Sequence, residues 1–389
     1  MPYPVTRFSF FKIIIAILAF GFSVSSMYAQ TQHKFRGSNL LVEGRVNYGF
    51  LINHHLEMQI FNSHFPAFEL NIGKETYGEY RWQRMYNYPF IGVSYWSSHL
   101  GNSPFLGVAN AMFPYVNYPL IRKNKFEFNF RLGLGLAYLT KRFDRIDNYK
   151  YLAIGSHLNA AANLMFEYRW RFNPRMNAAL GLALMHFSNG STKTPNYGIN
   201  IPSANLAFAY RLSKANPYLT KKMLPELYEF EFDGKRSITL DVGATVAYKD
   251  MGNEYARTFI IYNLFGHVMK PVSFKSSFGI GMDFTLDKSD PFIAREKNLI
   301  FKNDLQKIRI GVAGAYQLSM AKLSYMFNLG FYVSGKVRPS ASYFKLGLHY
   351  DVTRQVFATL SLRTHFAQAD FLGIGLGYKI PLYYYNQKK

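Results

Sequence analysis

Cysteine is absent from the 389 residues of this chain. Its absence excludes both a disulfide framework and a thiolate metal site. Acidic residues are scarce, with 23 Asp and Glu against 45 Lys and Arg, which gives a formal net charge of +22. Long apolar runs are missing as well. Beyond residue 29 no stretch reaches the roughly 18 apolar residues that a membrane-spanning helix needs, so we predict no transmembrane helix.

The N-terminus has the pattern of an export signal. Arg7 and Lys12 precede an apolar run from Ile13 to Val24, and a polar stretch then ends at Ala29. This run is too short to span a bilayer as an anchor helix, so we predict a cleaved signal peptide over residues 1–29. An exported chain has little access to nucleic acid. We therefore expect the positive charge to face an anionic membrane surface and predict no nucleic-acid partner.

Aromatic residues make up 18% of the chain, while its mean hydropathy is only −0.10. The mean hydropathy is low despite the many aromatic residues because large apolar side chains alternate, with a period of two, with polar, charged or small ones. In the first alternating segment Glu43, Arg45 and Asn47 alternate with apolar residues, among them Val46 and Tyr48. Alternating segments of 10 to 15 residues are typical of an antiparallel transmembrane β-barrel with a polar interior. The fold class that we predict is therefore all-β.

The alternation divides into two halves of about eight strands each. The predicted strands of the first half are 39–53, 64–77, 87–98, 104–120, 125–140, 155–170, 175–188 and 203–213. Residues 214–235 break the pattern and contain Pro217 and Pro225. We predict two tandem eight-stranded barrels, 38–213 and 236–389, with 214–235 as a linker. One barrel of about sixteen strands, with 214–235 as a long turn, is the alternative.

The predicted seventh strand ends with two polar side chains that could take part in a reaction. Leu180, Leu182 and Leu184 share one face, and the alternation places His186 and Ser188 on that same lipid-facing side. Polar groups directed at hydrocarbon are costly unless they have a function. The Cα atoms of residues i and i+2 of a strand are about 6.5 Å apart. At this spacing the His186 imidazole can reach the Ser188 hydroxyl and act as the base that a serine nucleophile requires. The structural alternative is a His and a Ser that bind water and headgroups.

Two segments carry a resemblance to a known family. His186-Phe187-Ser188-Asn189-Gly190 and Pro195-Asn196-Tyr197-Gly198-Ile199-Asn200, followed by a closing strand, resemble the outer-membrane lipid A 3-O-deacylases (the PagL family). The resemblance implies that Ser188 is the nucleophile and His186 the general base. It also implies removal of the 3-linked hydroxyacyl chain from the lipid A of lipopolysaccharide. The backbone N–H groups of Asn189 and Gly190 are the expected oxyanion donors. Residues 236–389 resemble no named family.

One position departs from the family pattern. Where the family has an acid that orients the histidine, this chain has Asn200. An asparagine can hold an imidazole in one tautomer but cannot stabilise an imidazolium by charge. We therefore expect a slower enzyme, an acid supplied by another loop, or lost activity. The basic residues Lys141, Arg142 and Arg145 of loop 141–154 are candidates for binding lipid phosphates.

Together these features predict an esterase of the bacterial outer membrane that acts on lipid A, with no cofactor and no metal. Its expected partners are lipopolysaccharide and the surrounding outer-membrane lipids, and the sequence gives no oligomeric state. Two alternatives remain open at this point. One is a porin or transport barrel, which predicts a wide, wet lumen. The other is an inactive structural barrel that descends from a deacylase, for which Asn200 is the best argument.

Overall fold

The structure is a computed structural model that describes residues 40–52, 55–101, 103–123, 125–212, 238–252, 257–366 and 368–382. The predicted signal peptide, 1–29, and the predicted linker, 214–235, lie outside the described residues.

Sixteen antiparallel strands form two closed barrels of eight strands. Each barrel closes by pairing its first strand with its last, β1 with β8 and β9 with β16. The predicted pair of tandem eight-stranded units is thus confirmed, and the alternative of one sixteen-stranded barrel is wrong. The strands are β1 Leu40–Phe50, β2 His64–Glu75, β3 Phe90–His99, β4 Val108–Arg122, β5 Phe126–Leu139, β6 Leu158–Arg171, β7 Met176–Ser188, β8 Ile199–Arg211, β9 Thr239–Asp250, β10 Thr258–Pro271, β11 Ser276–Asp287, β12 Ile308–Met320, β13 Leu323–Ser334, β14 Ser342–Asp351, β15 Val356–His365 and β16 Gln368–Pro381.

Helical segments are few and short among the residues that the structure describes. The α-helices are Arg81–Met85, Ser103–Leu106 and Asp290–Glu296, and the 3-10 helices are Leu56–Phe61 and Asp304–Lys307. Across the described ranges, none of the helices has the length and apolar character to cross a membrane.

Alternating side chains set the phase of each strand. In β1 the inward Glu43 and Arg45 are 3% and 2% exposed, whereas the outward Val46 and Tyr48 are 51% and 61% exposed. An apolar outer face suits contact with lipid, and an inner polar face must find its partners within the lumen.

The lumen of the first barrel is polar in one half only. There the buried arginines meet buried acids: Arg45 donates to Glu167 at 2.5 Å and Arg131 donates to Glu69 at 2.5 Å. These pairs satisfy charges that would otherwise be buried alone.

The other half of this lumen is apolar, so the predicted polar interior applies to one half of the first barrel. This apolar half lies at the end where β7 finishes. We call this the loop end, because it carries the described loop residues 51–52, 55–63, 100–101, 103–107, 140–157 and 189–198. Phe65 and Ala67 of β2 and Phe113 of β4 point inward into this core, which explains why these two strands show weak alternation in the sequence.

The second barrel is filled by charged and aromatic side chains. Arg309 contacts Asp287 at 2.9 Å, and Lys249 contacts Asp370 at 2.5 Å. Further along the barrel Lys345 pairs with Asp283. An eight-stranded barrel has an interior that its own side chains can fill, and both barrels conform to that rule.

Candidate active site

The phase of β7 directs His186 and Ser188 to the outer wall. Met185 and Phe187, which alternate with them, are 2% and 0% exposed and belong to the apolar core at the loop end. The Phe187 ring meets the ring of Trp96 edge-on, with centroids 5.6 Å apart. Because these two side chains are fixed inside, His186 and Ser188 project outward, and both are half-buried.

His186 is paired with Asn200. The two residues lie directly opposite each other in the β7–β8 register, and His186 Nδ1 is 2.7 Å from Asn200 Oδ1. The amide oxygen is an acceptor, so Nδ1 donates and carries the proton in the neutral ring. Nε2 is then the unprotonated ring nitrogen, and this is the tautomer that a general base requires.

Ser188 Oγ receives two N–H donors. Asn196 Nδ2 donates to it at 3.0 Å and the Gly190 backbone N–H donates at 3.3 Å. The Asn189 N–H instead donates to Asn196 Oδ1 at 3.0 Å and so orients the Asn196 side chain. Of the two predicted oxyanion donors, the structure places the N–H of Gly190 at the serine oxygen, while that of Asn189 holds Asn196.

Asn196 is the site residue that sequence reasoning missed. It lies in the Pro195–Asn200 segment that carries the family resemblance, but in the loop rather than in either strand. The sequence signal for it is only that it lies in the loop segment that carries the family resemblance, and nothing in the alternation connects it with Ser188. Its position follows from the fold of segment 189–198.

Loop 140–157 braces this segment from within the first barrel. The Gly198 N–H donates to the Ala153 carbonyl at 2.9 Å, and Asn189 Nδ2 donates to Ser156 Oγ at 2.8 Å. Gly198 itself has a φ of +83°, and a Cβ there would lie 3.0 Å from His186 Cε1. A glycine is therefore required where the loop passes the imidazole.

The basic residues Lys141, Arg142 and Arg145 are exposed on the same loop 140–157. The structure thus puts them at the end of the barrel that holds His186 and Ser188, and phosphate binding by them stays a prediction.

Asp144, an acid on this loop, is engaged locally. It accepts from the backbone N–H groups of Ile146 at 2.9 Å and Asp147 at 3.1 Å, and these bonds lower the pKa of its carboxyl group. Asp144 therefore stabilises a turn of its own loop. The described partner of His186 Nδ1 is the neutral Asn200.

Comparison with protein families gives two matches. The model of the lipid A 3-O-deacylase family (PagL) matches residues 67–209, and the model of the acyloxyacyl hydrolase C-terminal domain (PagL_C) matches residues 237–382. The chain belongs to the lipid A 3-O-deacylase family. The expectation that 236–389 resembles no named family is wrong, because the second barrel coincides with the C-terminal domain of these hydrolases. Membership of this family places the protein in the bacterial outer membrane.

Solved barrels are also similar to parts of this deacylase-family chain. Neisserial surface protein A is 10% identical, with 45% of this chain and 99% of that chain covered and a TM-score of 0.31. A mutant porin of Rhodopseudomonas blastica is 7% identical, with 88% of this chain and 99% of that chain covered and a TM-score of 0.17. No curated protein matches the chain.

Proposed function

We propose that this protein is an outer-membrane esterase that removes the 3-O-linked hydroxyacyl chain from lipid A, with Ser188 as nucleophile and His186 as base. One observation carries the proposal: His186, held through Nδ1 by Asn200, lies on the outer wall with a serine on which two N–H donors converge. Family membership supports lipid A as the substrate class.

The geometry supports a two-step acyl transfer. Ser188 Oγ attacks the ester carbonyl, and His186 Nε2 takes the hydroxyl proton. The carbonyl oxygen becomes an oxyanion next to Asn196 Nδ2 and the Gly190 N–H, which already lie at the serine oxygen. The intermediate collapses with release of the lipid alcohol, which receives the proton from His186. His186 then deprotonates a water, which attacks the acyl-serine. The C–Oγ bond breaks, the fatty acid leaves, and the proton passes from His186 to Ser188 Oγ.

The outward orientation suits a substrate that never leaves the membrane. Below the site the outer face of β7 exposes Leu180 by 64% and Leu182 by 69%, so an acyl chain can lie against it in the bilayer. The ester then reaches the loop end, where Lys141 and Arg142 are available for the phosphates of the headgroup. A signal peptide over residues 1–29 fits this location.

The test is mass spectrometry of lipid A from cells that express the intact chain, Ser188→Ala or His186→Ala. The control is Ser97→Ala, which removes another half-buried outward serine of the first barrel, one that donates to Asn110 at 2.9 Å. We expect loss of one hydroxyacyl mass with the intact chain and with Ser97→Ala, and unchanged lipid A with the other two.

An inactive barrel is the second candidate, and the neutral Asn200 is the observation that favours it. Unchanged lipid A with the intact, membrane-folded chain would support this candidate and contradict the esterase. Loss of a different acyl chain would keep the esterase mechanism and reject the 3-O position.

A further inference from the structure

The second barrel contacts the segment that carries the oxyanion donors. Ser191 Oγ donates to the carbonyl of Ala369, at the start of β16, at 2.7 Å, and the Asp250 N–H donates to the Ser191 carbonyl at 3.0 Å. The backbone of Gly190 lies so close to β16 that a Cβ there would be 2.8 Å from the Cβ of Leu372. Segment 189–198 is therefore held between the two barrels at the loop end.

Asp250 is unusual for its position on the barrel wall. It continues the outward row of β9, in which Val246 and Tyr248 are 37% and 39% exposed, yet it is only 5% exposed. A carboxylate on the outer face of a membrane barrel is costly unless it is paired. Asp250 Oδ2 accepts from Thr194 N at 2.8 Å and Thr194 Oγ1 at 3.0 Å, and it lies 3.4 Å from Lys193 Nζ. All of these partners of the Asp250 carboxylate belong to a loop of the first barrel.

The residues that Asp250 binds, Lys193 and Thr194, are next to the asparagines that contact or adjoin Ser188. Thr194 is two residues from Asn196, whose amide donates to Ser188 Oγ. The Asn189 side chain donates to the Lys193 carbonyl at 2.8 Å and accepts from the Lys193 N–H at 3.4 Å. Fixing Lys193 and Thr194 therefore fixes both asparagines that arrange the donors around the serine.

We propose that Asp250 of the second barrel is a positioning residue for the esterase site of the first barrel, and that this is one task of the C-terminal domain. The inference rests on the proposed function, since it assigns to Asp250 the placement of the Ser188 oxyanion donors. It touches neither substrate nor reacting atoms. It acts by holding Thr194, and through the loop it sets the position of Asn196.

Asp250→Ala and Asp250→Asn in the full-length chain test the proposal. The matched control is Asp351→Ala, which removes another ion-paired acid of the second barrel, bound to Lys379 at 2.6 Å at the opposite end. For release of hydroxy fatty acid from lipid A we expect Asp250→Ala to lower kcat by about 10- to 100-fold, because small misplacements of catalytic groups cost about that much. KM should change by less than about twofold, because the groups that bind the lipid are untouched. Asp250→Asn should restore most of kcat, since its Oδ1 can still accept from Thr194.

Hydrogen exchange of segment 189–198 gives a readout that does not depend on activity. We expect the Thr194 amide to exchange faster in Asp250→Ala than in the intact chain or in Asp351→Ala. Unchanged exchange together with unchanged kcat would overturn the proposal, and so would an Asp250→Asn variant no better than Asp250→Ala. If the intact chain leaves lipid A unchanged, the proposed function fails by itself, while the exchange rates still decide whether Asp250 holds the loop.

Folding of each variant is checked by comparing the gel mobility of unheated and heated samples. Should Asp250→Ala fail to fold, Thr194→Val decides instead, because it removes the hydroxyl donor to Asp250 and leaves the carboxylate and the Thr194 N–H in place. We then expect kcat to fall by roughly threefold, in line with the loss of one hydrogen bond of modest strength. A Thr194→Val variant with unchanged kcat and exchange would overturn the proposal.

Discussion

At the scale of single residues, the candidate site has amide side chains at positions where a charged group is more usual. Asn200 holds the imidazole and Asn196 faces the serine, and both are half-buried on the outer wall. A neutral amide costs less than a carboxylate on a surface that faces lipid. It supplies direction without charge, so Asn200 orients the His186 ring but adds no electrostatic stabilisation of an imidazolium.

Asn200→Asp is therefore expected to increase activity. The aspartate has nearly the same shape, can accept the same 2.7 Å bond from His186 Nδ1, and adds the charge that stabilises the imidazolium in the transition state. We expect kcat for acyl release to rise by about tenfold or more, measured with purified enzyme and lipid A in detergent.

The control for added charge is Asn110→Asp. This outward side chain of the same barrel accepts from Tyr95 at 2.7 Å and from Ser97 at 2.9 Å, outside the site. Its kcat should equal that of the intact chain. A folded Asn200→Asp variant with unchanged or lower kcat would show that charge at this position does not limit the reaction.

At the scale of elements, the sequence predicted β7 well and the loop after it poorly. Its period of two is strict, so the outward phase of His186 and Ser188 follows from the pattern alone. The predicted start of β8 was residue 203, whereas the strand begins at Ile199. Pro202 lacks an N–H and interrupts the strand pattern, which concealed the fact that Asn200 lies within the strand opposite His186.

Segment 189–198 itself could not be predicted from local pattern. Its conformation depends on bonds to loop 140–157 and to the second barrel, and these contacts connect residues far apart in the chain. For that reason the sequence does not identify Asn196 as a site residue, although Asn196 lies within the segment that carries the family resemblance.

Gly198→Ala tests the close approach of this segment to the imidazole. The φ of +83° disfavours any side chain, and the new Cβ would lie 3.0 Å from His186 Cε1. We expect stability to fall by about 1–3 kcal/mol and kcat to fall by at least roughly tenfold, as the ring moves from Asn200. Activity and thermal unfolding of the purified variant measure the two effects.

Gly44→Ala is the comparison for this variant. It adds the same methyl group to a strand of the same barrel, where the new Cβ would have no atom within 4 Å beyond its two chain neighbours. It should keep the activity and stability of the intact chain. Equal behaviour of the two variants would mean that Gly198 has no special role beside His186.

At the scale of the whole molecule, the break in alternation favours two barrels over one barrel of about sixteen strands, and the structure confirms the two barrels. Each half has the number of strands at which a barrel closes over its own side chains, and residues 214–235 separate them in sequence. The contact between Asp250 and Thr194 was out of reach, because it depends on how two closed barrels meet. The alternation in a strand shows which face of a barrel is apolar, but it does not identify which other part of the chain packs against that face.

Both closed lumens are occupied, and this argues against a pore. In the described part of the first barrel, Arg131 is 1% exposed between Glu69 and the Tyr115 ring, and in that of the second barrel Arg309 is 1% and Arg363 0% exposed. We therefore expect the purified protein, inserted in planar lipid bilayers, to give no stable ion-conducting steps, because water-filled channels require wider barrels. A general porin purified and inserted in the same way provides the positive control. Regular, voltage-stable steps from this chain would contradict packed lumens and favour the transport alternative over an esterase whose chemistry lies on its outer wall.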